Sequence, residues 1–322
     1  MSTGDMNVIV GIVGNILSVV GVVIMNKYIT EKDGYNFMVF LSFLHFAFTS
    51  IGCRIMMIGG FFSWTPAPFS GVLPVAIGSL LSVAFMNLNL SYNSVGFYQL
   101  SKLMCIPVTL WIQYVAYNTT VSRSVQMTLI PITFGVGYAT VYDIEIRWAG
   151  FIFAGFAIVA TAVAQIFTNV YQKSLDCNAL QLLHHTSPLI ACGMLAMCPF
   201  FDDVQALVNY EYNTGCVIRI GISCLFALGV NVSNYLVLGK TSPLTYQVLG
   251  HLKTVLILVL GFFFFNKHID MRNVLGIIIA MIGVVAYTEV RRRQALNPVL
   301  PTSKSTGRSP SMSKIADAQI KN

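Results

Sequence analysis

Ten stretches of this chain stay apolar for about 18–25 residues each, and that length constrains the fold more than any motif does. A helix rises ~1.5 Å per residue, so a run of ~20 residues crosses the ~30 Å hydrocarbon layer of a bilayer. Only helices and closed barrels satisfy every backbone N–H and C=O in that layer. The alternating pattern of barrel strands is missing from these runs. The expectation is an all-α polytopic membrane protein with ten transmembrane helices, over 7–28, 35–58, 70–91, 94–117, 124–142, 149–171, 180–201, 216–239, 243–265 and 271–290. Charge agrees: 10% of the 322 residues are charged, against about 25% in a soluble domain.

The acids sit almost wholly in the loops, as Glu31, Asp33, Asp143, Glu145, Asp202, Asp203 and Asp270. The net charge of +7 does not point to nucleic acid, because it collects in the C-terminal segment at Arg291, Arg292, Arg293, Lys304, Arg308, Lys314 and Lys321. Residues 291–322 read as a disordered basic tail. An even number of spans puts both termini on one side, and the basic tail makes that side the cytosol. Arg54, Arg123, Lys173 and Lys240 support this orientation; Lys27, Lys32, Arg147, Lys267 and Arg272 fall on the other side. Residues 1–10 carry neither a basic leader nor a cleavage signal, so the first span is expected to act as the targeting signal.

The seven cysteines include no CxxC pair, and their odd number excludes a complete disulfide framework. Most lie inside apolar runs and read as small buried hydrophobes. No nucleophile elbow, Walker motif or HExxH occurs, so neither an enzyme nor a metal or other cofactor is expected.

A short repeat links the two halves. Ser94-Val-Gly-Phe-Tyr98-Gln99 matches Ser242-Pro-Leu-Thr-Tyr246-Gln247 at an offset of 148, and Asn26-Lys27 matches Gln172-Lys173 at 146. A unit of five spans is odd, so its second copy enters the membrane upside down. This predicts two inverted five-helix repeats, 1–145 and 146–290, with a site at the midplane between them.

Two lysines lie deep in spans: Lys102, about eight residues into the fourth, and Lys253, about ten into the ninth. A charge at that depth costs at least ~2.5–3.5 kcal/mol, and normally faces a cavity and has a use. The bland alternative is a lysine snorkelling to the interface. No Asp or Glu lies inside any predicted span, and Glu289 only closes the last. The ammonium groups are therefore neutral, or an anion supplies the missing charge; phosphate suits lysine's compact point charge. The same shortage argues against a proton pump built on intramembrane carboxylates, which leaves His45 and His251 a minor role.

At ~100° per residue, Tyr246, Gln247, Gly250, Lys253 and Thr254 share one face, with His251 at its edge. Tyr98, Gln99 and Lys102 share a face in the same way. Tyrosine offers a ring and a hydroxyl, glutamine donors and acceptors for a base or sugar, and Gly250 close approach. The alternative is an interhelical hydrogen-bond seam. Lys27, His184 and His185 complete the binding candidates. Pro107, Pro131 and Pro188 predict kinks.

Asn93-Ser-Val-Gly-Phe-Tyr-Gln-Leu-Ser-Lys102-Leu and Gly239-Lys-Thr-Ser-Pro-Leu-Thr-Tyr-Gln-Val-Leu-Gly-His-Leu-Lys-Thr254 resemble the nucleotide-sugar and triose-phosphate translocators of the drug/metabolite transporter superfamily, over about residues 8–290. The resemblance is to the branch marked by Lys253-Thr254. Plastid sugar-phosphate translocators have Lys-Arg there, and GDP-mannose carriers place the motif lysine one position later. The resemblance implies ten helices in two inverted halves, a Golgi or ER membrane, and exchange of a cytosolic UDP-sugar for lumenal UMP. UDP-galactose leads, with UDP-rhamnose, UDP-xylose or UDP-arabinose behind it. It also implies that Tyr246, Gly250, Lys253 and Thr254 line the nucleotide site, with His184 and His185 where relatives contact the nucleoside. A sugar-phosphate exchanger and a non-transporting receptor or regulator stand as alternatives. The oligomeric state is open, with a homodimer one option.

Overall fold

The computed structural model describes residues 3–93, 95–140, 148–265 and 271–296. Ser94, the loop residues Asp143, Glu145, Arg147, Lys267 and Asp270, and the tail over 297–322 lie outside them. Every described element is helical: α1 (Thr3–Asp33), α2 (Met38–Ile58), α3 (Phe69–Tyr92), α4 (Val95–Leu103), α5 (Cys105–Tyr117), α6 (Arg123–Thr140), α7 (Trp148–Ser174), α8 (Ala179–Phe201), α9 (Val204–Val208), α10 (Thr214–Lys240), α11 (Pro243–Phe265) and α12 (Met271–Leu296). By length and apolar composition alone, α1, α2, α3, α7, α10 and α12 can cross a membrane. The other predicted spans fall on α4 with α5, α6, α8 and α11. The chain is an all-helical polytopic membrane protein. Its outer surface shows the expected inversion of a soluble fold, with Trp111, Phe151, Phe156, Leu225 and Ile282 each more than half exposed.

Four antiparallel partnerships dominate the packing: α1 with α10, α2 with α8, α3 with α7, and α6 with α12. Without a hydrophobic drive between helices in lipid, small residues allow this closeness. Gly135 on α6 lies so near α12 that an added Cβ would come within 2.7 Å of the Gly276 carbonyl oxygen.

Pro107 carries the clearest of the predicted kinks. It has no N–H to offer the Leu103 carbonyl, so the fourth predicted span divides into α4 and α5 at Met104. Met104 keeps helical angles (φ −68°, ψ −13°) and its N–H tightens onto the Ser101 carbonyl at 3.1 Å. Pro131 and Pro188 lie inside the uninterrupted helices α6 and α8.

Each end of the bundle is tied by polar side chains. At one end, Asp33 closes α1 and pairs with Arg219 of α10, with Nε–Oδ2 at 2.7 Å. Tyr210 donates to the Asp33 carbonyl at 2.7 Å, within an aromatic cluster of Tyr35, Phe37 and Tyr212. Burial pushes the Tyr210 phenol up to about 12, so it stays a donor. Asp202 accepts from the first N–H groups of α2, which have no helical partner of their own. At the other end, Gln294 reaches Ser122 at 2.6 Å, Gln181 reaches the Ser63 carbonyl at 2.9 Å, and Asn169 reaches the Thr241 carbonyl at 3.0 Å. The cysteines are free thiols, all buried except Cys192. In the α7–α8 turn, burial raises the Cys177 thiol above its ordinary range and keeps it inert.

Candidate substrate cavity

The lysines in α4 and α11 come from distant parts of the sequence and line one cavity. It measures about 420 Å³, within the ~300–1,000 Å³ usual for a small-molecule site. α11 supplies Tyr246, Gln247, Gly250, His251, Lys253 and Thr254; α4 supplies Lys102. Among the described residues, none of the lining is acidic.

Lys253 is 7% exposed, and its Nζ donates to Asn15 Oδ1 at 2.6 Å. The ammonium also stands 4.9 Å from the centre of the Tyr246 ring. Asn15 in turn donates to Ser233 (2.8 Å) and Asn234 (2.7 Å), and the Tyr246 hydroxyl donates to Asn234 at 2.6 Å. This network joins α1, α10 and α11 behind the charge. Lys102 is held differently. It lies in the last turn of α4, with its Nζ 4.1 Å from the centre of the Tyr98 ring.

Gln247 is anchored by its amide nitrogen, which donates to Thr109 and, at 3.0 Å, to Gln165. Its Oε1 is buried without a partner, and so is His251 Nε2. Two polar atoms on the cavity wall thus remain to be satisfied, a costly arrangement unless a ligand answers them. At Gly250 an added Cβ would meet nothing within 4 Å, so this glycine faces open space. A smaller chamber of about 150 Å³ adjoins, sharing Ser82, Thr161, Gln165 and Tyr246 and adding Asn231 and Asn234.

The remaining candidates lie elsewhere. Lys27 sits on α1 and pairs with Glu31 at 3.6 Å. His184 and His185 line a separate cleft between α2 and α8, with His185 Nε2 2.8 Å from the Thr65 carbonyl. His45 is held by Ser223 at 2.9 Å. The Gln99 side chain is outside the described ones. Reading charge alone overlooks Asn15, Asn87, Thr161 and Gln165. Three of these are amides, and every predicted span contains an Asn or Gln, so residue type alone does not single them out.

The model for the triose-phosphate transporter family matches residues 13–288. The chain belongs to that family. Among curated family relatives, UDP-xylose transporter 2 of Arabidopsis thaliana is 37% identical over 277 residues, 85% of this chain and 78% of the relative. UDP-rhamnose/UDP-galactose transporter 1 of the same plant is 33% identical over 279 residues, 85% of this chain and 80% of the relative. A solved crystal structure superposes with a TM-score of 0.72, covering 90% of this chain and 98% of its own; at 11% identity it speaks for the fold alone.

Proposed function

We propose that this family member is an antiporter that carries a UDP-sugar across a Golgi membrane in exchange for UMP. The observation that carries the proposal is the convergence of Lys102 and Lys253 on one cavity without an acidic residue in its lining. A diphosphate supplies the missing negative charge, and lysine binds phosphate as a point charge. The free Gln247 carbonyl, His251 Nε2 and the amides of Asn87 and Gln165 then offer donors and acceptors for uracil and sugar hydroxyls.

Exchange follows from the charge balance. Two like charges in a low-dielectric cavity resist the rearrangement that moves them past the membrane centre. A bound nucleotide pairs them, so occupied states interconvert more readily than empty ones. A ligand drives such a shift only through differential affinity, which here resides in its phosphates.

Two structural patterns support the proposed architecture and orientation. The helix partnerships stay the same when the two five-span units are exchanged, as inverted repeats require. Among the described residues, one end of the bundle carries Arg54, Arg123, Lys173, Lys240 and Arg291 to Arg293, against Lys27, Lys32, Arg219 and Arg272 at the other. That asymmetry supports placing the basic end in the cytosol.

The relatives' names put UDP-xylose beside UDP-galactose and UDP-rhamnose as the first sugars to test. A sugar-phosphate exchanger is the second reading, favoured by the family's description. Counterflow separates them. Proteoliposomes loaded with UMP are offered labelled UDP-, GDP- and CMP-sugars and triose phosphate. Uptake of a UDP-sugar that requires internal UMP is the expected result. Uptake of phosphate esters alone establishes the second reading, and no uptake by folded protein removes both.

A further inference from the structure

A second cleft, of about 490 Å³, lies away from the cavity between α2 and α8 and holds one guanidinium, that of Arg54. Its polar wall is Ser50, Arg54, His184 and His185; its apolar wall is Ile51, Ile55 and Pro188. Among the described residues, none of its lining is acidic. Among the described residues Arg54 has no ion pair. His184 Nδ1 is buried without a hydrogen-bond partner. His185 Nε2 donates to the Thr65 carbonyl, which orients the ring and makes Nδ1 a donor to an anion only when the imidazole is protonated.

The surroundings identify what such a site meets. Ile51 and Ile55 are 59% and 63% exposed on the outer face of a membrane helix. Beyond the end of α2 stand Phe61, 76% exposed, and Trp64, 57% exposed, with the Trp64 ring 6.4 Å from His185. Exposed aromatics of this kind mark the headgroup level of a bilayer. The cleft therefore places a guanidinium and two imidazoles at headgroup depth, beside an apolar wall that faces the acyl chains. Guanidinium binds phosphate through paired N–H donors.

We infer that this cleft binds the phosphate of an anionic phospholipid, with an acyl chain along Ile51 and Ile55. A soluble phosphate would use the polar wall alone. The proposal is independent of the transported substrate, and its test reads binding rather than transport.

The test is native mass spectrometry on the purified full chain, with phosphatidic acid, phosphatidylcholine and inorganic phosphate as probes. A single phosphatidic acid adduct is expected, favoured over phosphatidylcholine. Arg54→Ala should weaken it about fivefold, the effect of one basic side chain at an anionic surface. Arg123→Ala, an exposed arginine at the same end of the bundle, should leave it unchanged. Ile55→Ser should weaken lipid binding without altering any response to inorganic phosphate. Equal binding of the two lipids, an adduct indifferent to Arg54→Ala, or an equal fall in Arg123→Ala overturns the inference. Displacement of the lipid by millimolar inorganic phosphate assigns the cleft to a soluble anion and overturns it as well.

Discussion

Lys253 donates its ammonium to Asn15 across 238 residues of sequence, at 2.6 Å. The Asn15 amide nitrogen is already committed to Ser233 and Asn234, so its oxygen is fixed toward the lysine. α1 therefore sets where the α11 charge stands, and the Tyr246 hydroxyl completes the same network through Asn234.

Asn15→Leu should leave Lys253 in the cavity without its orienting acceptor. A hydrogen bond to a charged group contributes ~1.5–3 kcal/mol, so exchange is expected to fall about 10–100-fold. Counterflow rates normalised to the amount of reconstituted protein measure this. A variant that exchanges like wild type would show that Asn15 does not position the lysine.

Lys102→Met and Lys253→Ala separate binding from folding. Each should abolish UDP-sugar uptake while the protein still inserts and purifies as a monodisperse species. For Lys102→Met the thermal midpoint should hold or rise, because a costly intramembrane charge is removed. Unfolding of both variants, with no transport defect in any folded fraction, would make the lysines structural.

Gly250 and Gly135 should answer oppositely to added bulk. Gly250→Leu extends into open space, so it should fold normally and block uptake. Gly135→Val forces apart α6 and α12 at a backbone contact, so it should cost about 1–3 kcal/mol of stability. Thermal midpoints and uptake measured side by side decide both.

The Asp33–Arg219 pair joins α1 to α10 with the Asp33 side chain only 2% exposed. Arg219→Gln strands that carboxylate and should lower the thermal midpoint, whereas Asp33→Asn with Arg219→Gln should lose less. A double-mutant cycle in thermal unfolding reads the coupling. Additive losses would reduce the pair to a surface contact.

Apolar run length located the helices because a bilayer leaves the backbone few alternatives. Lys102, Lys253 and the α11 stripe were legible because an intramembrane charge stands out, and helical spacing then groups its neighbours. The amides were harder to read. Asn15 and Gln165 interrupt their apolar runs without a charge, and only the folded contacts show that they meet α11. His184 and His185 stood out by type, yet spacing within α8 cannot say which neighbour their face meets. That neighbour is α2, so the pair lines a cleft apart from the lysine cavity. The Met104 break was readable from Pro107, although Pro131 and Pro188 show that proline alone does not decide where a helix divides.

The division at Met104 makes the two charges unequal. Lys102 stands in the last turn of α4, two residues before Met104. It stands against the face of Tyr98, which fixes a direction less sharply than Asn15 does for Lys253. On the proposed reading, an incoming diphosphate would meet one cation held by a hydrogen bond and one held against an aromatic face.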